Sequence, residues 1–381
     1  MRVQVKPELL RWARERAGLC PEAHAARFPR LDAWLSGAAQ PTMKELEALA
    51  KATNTPFGYL FLDKPPVEID PLPDLRTHRS DVRRRPSPNL LDTIYLCQER
   101  QEWFRTWAAR TGEEPVRFVG GLSPEAGVEI TARTMGDVLG FDAHGRETMR
   151  TWAAARRHLA RGADGQGVLV MSSATVPGDP TRRLDRVEFG SFAIADPLAP
   201  LVFINGNQPK ADQMFVLAFE LAKLWLGRSG LSDVNLQYRP DDDVDIWCFQ
   251  VAAELLLPLE IVRAEYDPRA ALGEQVQGLA RRYKVTPLVA LRRIFDLRRM
   301  HHLDFWMEYG IQARRLRARR DADDRDRGRK LAAQVGPRFA RLLLAAALLV
   351  FVLVHHQKPC VKVSNEQDFF DQVLHNHIHI L

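Results

Sequence analysis

The sequence predicts an α+β protein, in which an all-α bundle at the N-terminus precedes a domain that combines a small sheet with a buried helix. Three observations support this prediction. Residues 6–62 have the apolar spacing of several short helices. Short β-branched and aromatic runs then follow between residues 168 and 205. Residues 214–226 are apolar almost all round, which is typical of a helix inside a core.

The composition is that of an ordinary soluble protein of 381 residues, which is long enough for two or three domains. The net charge of +6 permits nucleic-acid contact without requiring it. The four cysteines are far apart, which argues against a zinc ribbon or a disulfide framework and favours a reducing compartment. The first residues lack the apolar stretch of a secretory signal. We therefore expect a cytoplasmic protein.

The first predicted domain, residues 1–64, is a compact bundle of short helices. One helix is predicted at residues 21–28, and another begins after Thr42. Glu45 stands three residues after Thr42, which is the spacing of a capping box at a helix N-terminus. The pattern of this domain resembles an XRE-type helix-turn-helix module.

The resemblance makes double-stranded DNA a candidate partner, with Arg27 and Arg30 as the candidate contacts. Base readout requires polar side chains at the start of a recognition helix. Residues 27–31 leave little room for such a helix. The alternative is a helical module that packs on its partner domain or dimerises, and the oligomeric state is left open.

A linker rich in proline and arginine is predicted at residues 65–88. A helical segment follows at residues 89–165. Its periodic stretches predict three helices, at residues 92–111, 123–139 and 146–161.

Residues 166–310 are predicted to form the domain that contains the sheet. Within it, Thr286 is expected to cap the second of two packed helices between residues 274 and 300, and packing without DNA contact is the favoured interpretation. The other predicted elements are three strands, at 168–171, 189–194 and 201–205, and two helices, at 214–226 and 244–257.

The last segment, residues 311–381, is predicted to be a charged linker followed by a divergent apolar and histidine-rich stretch. A helix that spans a membrane needs about 20 apolar residues. The apolar run at residues 342–354 is shorter, so a buried helix is predicted and membrane association is the minor alternative. The alternating histidines at residues 375–379 are interpreted as incidental.

Residues 215–227 carry the clearest chemical motif of the chain. In an H-E-x-x-H helix, two histidines four residues apart hold zinc, and the glutamate between them polarises the attacking water. Here Phe219 and Lys223 stand at the histidine positions, and Glu220 remains. Since the helix is apolar, we expect Glu220 and Lys223 to be buried and to form an ion pair.

This helix and residues 245–258 together resemble the ImmA/IrrE family of metallopeptidases, in the form that carries an N-terminal helix-turn-helix module. The resemblance implies a zincin-like domain, a zinc ion, a catalytic role for Glu220 and a ligand role at the position of Asp245. Glu254 is a second candidate acid, but helix geometry places it on the face opposite Asp245. Phe249 stands where the family has asparagine and is expected to point toward the former metal position.

Zinc requires about three protein ligands from neutral histidine, thiolate or carboxylate, so we predict that none is bound by this chain. The family positions are instead expected to form a packed plug with an internal ion pair, made of Phe219, Glu220, Lys223, Asp245 and Phe249.

The predicted function is that of a regulatory protein of the ImmA/IrrE type, with an inactive peptidase domain and a protein or peptide partner such as a repressor. One alternative is an active zinc endopeptidase that cleaves a transcriptional repressor. Its metal would be held by other groups, such as Asp241, Asp242, Asp243 or the terminal histidines. The other alternative is a DNA-binding or antitoxin-like scaffold.

Overall fold

The chain forms two compact units. The N-terminal unit comprises Met1–Pro71 and His78–Leu96, and the C-terminal unit comprises Leu72–Thr77 and Cys97–Leu381. The division of the sequence into five segments stays a prediction. The computed structural model describes residues 2–18, 27–68, 71–73, 86–210, 212–233, 242–298, 300–323, 336–343 and 345, with residues 317–323 described by their backbone alone.

Short helices build the described part of the N-terminal unit. They are α1 (Pro7–Arg16), α2 (Leu31–Leu35), α3 (Met43–Ala52) and a 3₁₀ turn at Phe57–Phe61. Their apolar faces bury a small core that includes Leu10, Ala13, Trp34, Leu46, Leu49 and Leu60. The helix predicted at residues 21–28 lies outside the described residues except for its last two positions.

The predicted capping box at the start of α3 is confirmed. The Oγ1 atom of Thr42 accepts a hydrogen bond from the Glu45 N–H at 3.3 Å, and Oε2 of Glu45 accepts one from the Thr42 N–H at 2.7 Å. The box satisfies two backbone donors that a helix N-terminus otherwise leaves without partners.

The described part of the C-terminal unit contains a sheet with the strand order β1-β3-β2-β4. Strand β1 pairs with β3 in parallel, whereas β2 pairs with both β3 and β4 in the antiparallel direction. The four strands are β1 (Leu169–Ser173), β2 (Ser191–Ile194), β3 (Leu201–Asn205) and β4 (Gly230–Ser232).

Helices cover this sheet. Helix α8 (Gln213–Trp225) is buried at every residue. It packs against β2, β3 and α9 (Asp243–Leu256), while α5 (Val128–Leu139) packs on α9. The remaining described helices are α4 (Pro88–Thr111), α6 (Ala143–Glu147), α7 (Trp152–Gly165), α10 (Leu259–Glu265), α11 (Leu272–Tyr283), α12 (Pro287–Asp296) and α13 (His302–Asp323). The part of α4 up to Leu96 belongs to the N-terminal unit. Helices α5 and α7 belong to the same apolar core as the sheet and α8.

The single helix predicted at residues 146–161 is wrong, because two helices, α6 and α7, occupy this part of the chain. Thr151 begins α7, and its side chain accepts a hydrogen bond from the Ala154 N–H at 3.1 Å. A threonine that binds the backbone of the next turn favours a new helix start over continuation. Arg146 is fully buried and donates a hydrogen bond to the Tyr283 carbonyl at 2.7 Å. This bond holds α6 against the end of α11.

The prediction of three strands omitted β4. Three residues are too few to display an alternating pattern, and glycine is depleted in strands. Strand β4 exists because residues 230–232 pair with β2. Two helix starts also differ from the predictions, since α4 begins at Pro88 and α5 at Val128, after a 3₁₀ turn at Pro124–Ala126.

The predicted cap at Thr286 is confirmed by a hydrogen bond from the Val289 N–H to the threonine side chain at 3.1 Å. Helix α12 is buried over most of its length. This burial favours the packing interpretation of α11 and α12 over a DNA contact.

Residues 337–343 are helical, and Phe339 among them is buried. Most of the apolar run at 342–354 lies outside the described residues, as do the histidines at 375–379. Among the helices that the structure describes, none combines the length and the apolar character that crossing a membrane demands.

Candidate functional site

The candidate site is built on α8, a helix with apolar residues on all sides. It carries two charged residues into the core, Glu220 and Lys223, and both are fully buried. Buried charges are costly unless they are paired and hydrogen-bonded. The positions three residues apart on the helix bring the two side chains together, with 3.5 Å between Nζ of Lys223 and Oε2 of Glu220.

Glu220 links α8 to the neighbouring strand β2. Its Oε1 atom accepts a hydrogen bond from the Ser191 hydroxyl at 2.6 Å, while Oε2 faces Lys223. Hydrogen bonds to a charged group are among the stronger ones in proteins. Oε1 is therefore hydrogen-bonded, whereas Oε2 has the ion pair with Lys223 but no hydrogen-bond partner among the described residues.

Lys223 links α8 to the outer strand β4. Its Nζ atom donates to the Gly230 carbonyl at 3.1 Å and to the Ser232 hydroxyl at 2.7 Å. It also lies 5.8 Å from the centre of the Phe219 ring, within the range of a cation–π contact. The ammonium thus bridges helix and strand from the interior.

Asp245 completes the group from the first turn of α9. The carboxylate is buried, and among the described residues its Oδ1 atom has no hydrogen-bond partner. Burial raises the pKa of Asp245 to about 6, the Lys223 ammonium opposes that rise, and the Glu220 carboxylate adds to it. Together these side chains form what we call the polar cluster, made of Ser191, Glu220, Lys223, Ser232 and Asp245.

The raised pKa of Asp245 predicts a pH-dependent stability. An acid whose pKa is higher in the folded protein than in the unfolded chain stabilises the fold below its unfolded pKa, and this contribution is lost as the pH rises through its folded pKa. For Asp245 the window runs from 3.8 to about 6. Asp245→Asn should therefore raise the free energy of unfolding at neutral pH by about 1–3 kcal/mol, and this gain should disappear below the window.

Urea unfolding across the window measures this effect. Asp243→Asn is the matched control, because Asp243 lies on the same helix turn and is exposed. The control should leave the pH profile unchanged. A parallel pH profile for Asp245→Asn and the parent chain would contradict the assignment.

Of the two phenylalanines in the expected plug, Phe219 contacts the polar cluster, whereas the ring of Phe249 packs on other residues. Phe219 and Phe249 are both buried, and Phe219 borders the polar cluster through Lys223. Phe249 instead packs against Phe215, with 4.9 Å between ring centres, and the Arg292 guanidinium lies 5.3 Å from its ring centre. Phe249 is thus held between α8 and α12.

Glu254 lies apart from the polar cluster, as the opposite-face argument predicted. Its carboxylate accepts a hydrogen bond from the Leu259 N–H at 3.2 Å and pairs with Arg293. These contacts join the end of α9 to α10 and α12. Glu254 therefore stabilises a helix junction.

Three residues near the site were not identified from the sequence. Ser191 and Ser232 supply hydroxyls to the polar cluster, and burial raises the pKa of the Cys248 thiol well above its ordinary value. The sequence signal for Ser191 was its place in a predicted strand. Ser232 had no such signal, because its strand was missed.

Arg27 and Arg30, the candidate DNA contacts, are exposed residues of the N-terminal unit. The Arg27 guanidinium lies 5.7 Å from the centre of the Phe28 ring. Arg30 immediately precedes the five-residue helix α2. A role of either residue in DNA binding stays a prediction.

The donor atoms at the family positions do not fit a zinc ion. Phe219 offers no donor atom, and a protonated Lys223 repels a cation. Glu220 and Asp245 leave two carboxylates without imidazole, and the first already binds Ser191 and faces Lys223.

The other suggested ligands divide into two groups. Asp241 and the terminal histidines lie outside the described residues. Asp242 is the N-cap of α9, where its carboxylate accepts hydrogen bonds from the N–H groups of Val244 and Asp245 at 2.9 and 3.2 Å. Asp243 is exposed.

Comparison with known proteins identifies one similarity. Residues 163–295 match the family model Peptidase M78, described as the IrrE N-terminal-like domain. The matched range contains the whole sheet, α8 and α9, and thus every residue of the polar cluster. Neither the curated proteins nor the solved structures provide a match to the chain. The matched range supports the resemblance to the ImmA/IrrE metallopeptidases.

Proposed function

We propose that this chain is a regulatory protein of the ImmA/IrrE type, whose peptidase-like domain binds a partner without hydrolysing it. The observation that carries the proposal is the position of Lys223. Its ammonium is fully buried, bonds to Gly230 and Ser232, and lies 3.5 Å from Glu220.

The chemistry of Glu220 supports this proposal. A glutamate that serves as general base in a zinc peptidase must hold a water molecule that the metal activates. Glu220 has no exposed surface, and its two oxygens face Ser191 and Lys223.

The ammonium supplies a positive charge where the family resemblance implies a metal. It pairs with Glu220 and joins α8 to β4 through the Gly230 carbonyl and the Ser232 hydroxyl. A domain with this interior has a stable fold with which to bind a partner, but it lacks the Lewis acid that zinc-dependent hydrolysis requires. The partner class we propose is a protein or peptide, such as a repressor.

The zinc content of the purified full chain tests the proposal. After incubation with zinc and dialysis, elemental analysis should find much less than one zinc ion per chain, and a panel of candidate repressors should stay uncleaved. Asp245→Ala should leave the zinc content at the same background level.

An active zinc endopeptidase would give a different set of results. Stoichiometric zinc that is lost in Asp245→Ala, together with proteolysis that is lost in Glu220→Gln, would establish an active endopeptidase and overturn the proposal. Glu129→Gln serves as the control for a charge change at an exposed glutamate.

A further inference from the structure

The outer edge of the sheet is in contact with a short proline-containing segment of the same unit. Residues Leu72 and Pro73, which we call the strap, belong to the C-terminal unit and precede α4 in the chain. The Leu231 N–H donates a hydrogen bond to the Pro73 carbonyl at 3.0 Å. Leu72 is only 5% exposed, so the strap is anchored by an apolar side chain as well.

The direction of the Leu231 N–H shows which side of β4 the strap occupies. Strand β4 is the last in the described order β1-β3-β2-β4, and its Ser232 carbonyl accepts a hydrogen bond from the Gly190 N–H at 2.8 Å. Backbone groups alternate between the two sides of a strand. Leu231 therefore turns its N–H away from β2 and toward the free edge, where Pro73 accepts it.

A free strand edge is a template for pairing with another extended chain. The strap uses this template incompletely, because proline has no N–H. Pro73 accepts from Leu231 but cannot donate to the Leu231 carbonyl, whereas a full pair exchanges both bonds. An extended peptide without proline at this position makes one more hydrogen bond than the strap can.

The same strand carries the anchors of the buried lysine. Gly230 and Ser232 flank Leu231 and bind Nζ of Lys223 at 3.1 and 2.7 Å. The interior side of β4 is therefore held by the polar cluster while its edge is held by the strap. Among the described residues, the strap is thus the neighbour of this buried strand that an extended peptide can replace.

We propose that the edge of β4 is a strand-addition site for an extended peptide, and that the strap occludes it in cis. The peptide places an apolar residue where Leu72 is buried and a residue other than proline opposite Leu231. This inference goes beyond the proposed function and holds whether or not the domain binds zinc.

Two variants of the full chain test the strap in opposite directions. Leu72→Asp removes the apolar anchor and should release the strap. Pro73→Ala keeps the carbonyl that accepts from Leu231 and adds an N–H, so it should tighten the strap. Val67→Asp is the matched control, because Val67 is 89% exposed in the same stretch of chain.

The probe is a fluorescein-labelled peptide, Ile-Asp-Pro-Leu-Ala-Asp-Leu-Arg, which copies residues 69–76 with alanine in place of Pro73. Its affinity should rise about tenfold in Leu72→Asp, since the buried leucine no longer competes. It should fall about threefold in Pro73→Ala, since the strap gains a hydrogen bond. The Val67→Asp chain should bind it as the parent chain does.

Hydrogen exchange at the Leu231 amide gives a second readout that needs no peptide. Exchange should be about tenfold faster in Leu72→Asp and slower in Pro73→Ala, while the amides of β3 stay unchanged. Faster exchange throughout the sheet in Leu72→Asp would mean that this variant unfolds. In that case the result for Pro73→Ala alone decides whether the strap occludes the edge of β4. Equal peptide affinity in Pro73→Ala and the parent chain overturns the proposal. Binding of a peptide that carries aspartate in place of the leucine that copies Leu72 overturns it as well.

Discussion

The double replacement Phe219→His and Lys223→His is expected to create a site that binds about one zinc ion per chain. The two new imidazoles stand four residues apart on α8, the spacing at which helix positions share one face. Asp245 is close enough to Lys223 for the ammonium to influence its pKa. Two imidazoles and one carboxylate match the three protein ligands of a catalytic zinc site.

Elemental analysis and isothermal titration calorimetry with zinc measure this gain. The single variant Phe219→His, which retains the ammonium, is the control and should bind no zinc. Adding Asp245→Ala to the double replacement should abolish binding. A double variant that takes up no zinc would show that the shorter aspartate does not reach the metal position, and that Phe219 and Lys223 are not the decisive blocks.

Lys223→Met is expected to lower the free energy of unfolding of the C-terminal unit by about 3–5 kcal/mol. The methionine has a similar length, so little packing is lost. The loss comes from Glu220, which would stay buried without its cation, and from the Gly230 carbonyl and Ser232 hydroxyl, which would lose their donor. Breaking one half of a buried pair costs more than removing the pair.

Urea unfolding of the C-terminal unit tests this expectation with a double-mutant cycle. The variant that combines Glu220→Gln with Lys223→Met should recover most of the lost stability, because neither member of the ion pair is left as an unpaired buried charge. Ser232→Ala should cost only about 1 kcal/mol, the usual contribution of one hydrogen bond. If Lys223→Met and Ser232→Ala cost the same, the buried ion pair has no special energetic role.

The ion pair of the candidate site could be predicted because it is local. Glu220 and Lys223 share one apolar helix, and a spacing of three residues brings their side chains together regardless of the rest of the fold. The separation of Asp245 from Glu254 is local in the same sense, since helix periodicity alone decides it. The hydroxyls of Ser191 and Ser232 could not be predicted, since Ser191 reaches the cluster through the packing of α8 on β2 and Ser232 through the pairing of β4 with β2.

The fold shows the same division. Strands β1, β2 and β3 were predictable from their β-branched and aromatic runs, whereas β4 has three residues and forms by pairing with β2. The break at Thr151 was missed because residues 146–161 keep a helical apolar spacing, while the threonine side chain competes for the backbone.

The sequence by itself determined the helix that carries the site, the charges it buries and the donor chemistry at the family positions, because these depend on residue type and helical spacing. Only the tertiary structure decided which groups receive those charges and what covers the edge of β4. Strand pairing and the course of residues 72–73 bring together atoms that are distant along the chain, and no local pattern encodes their distances.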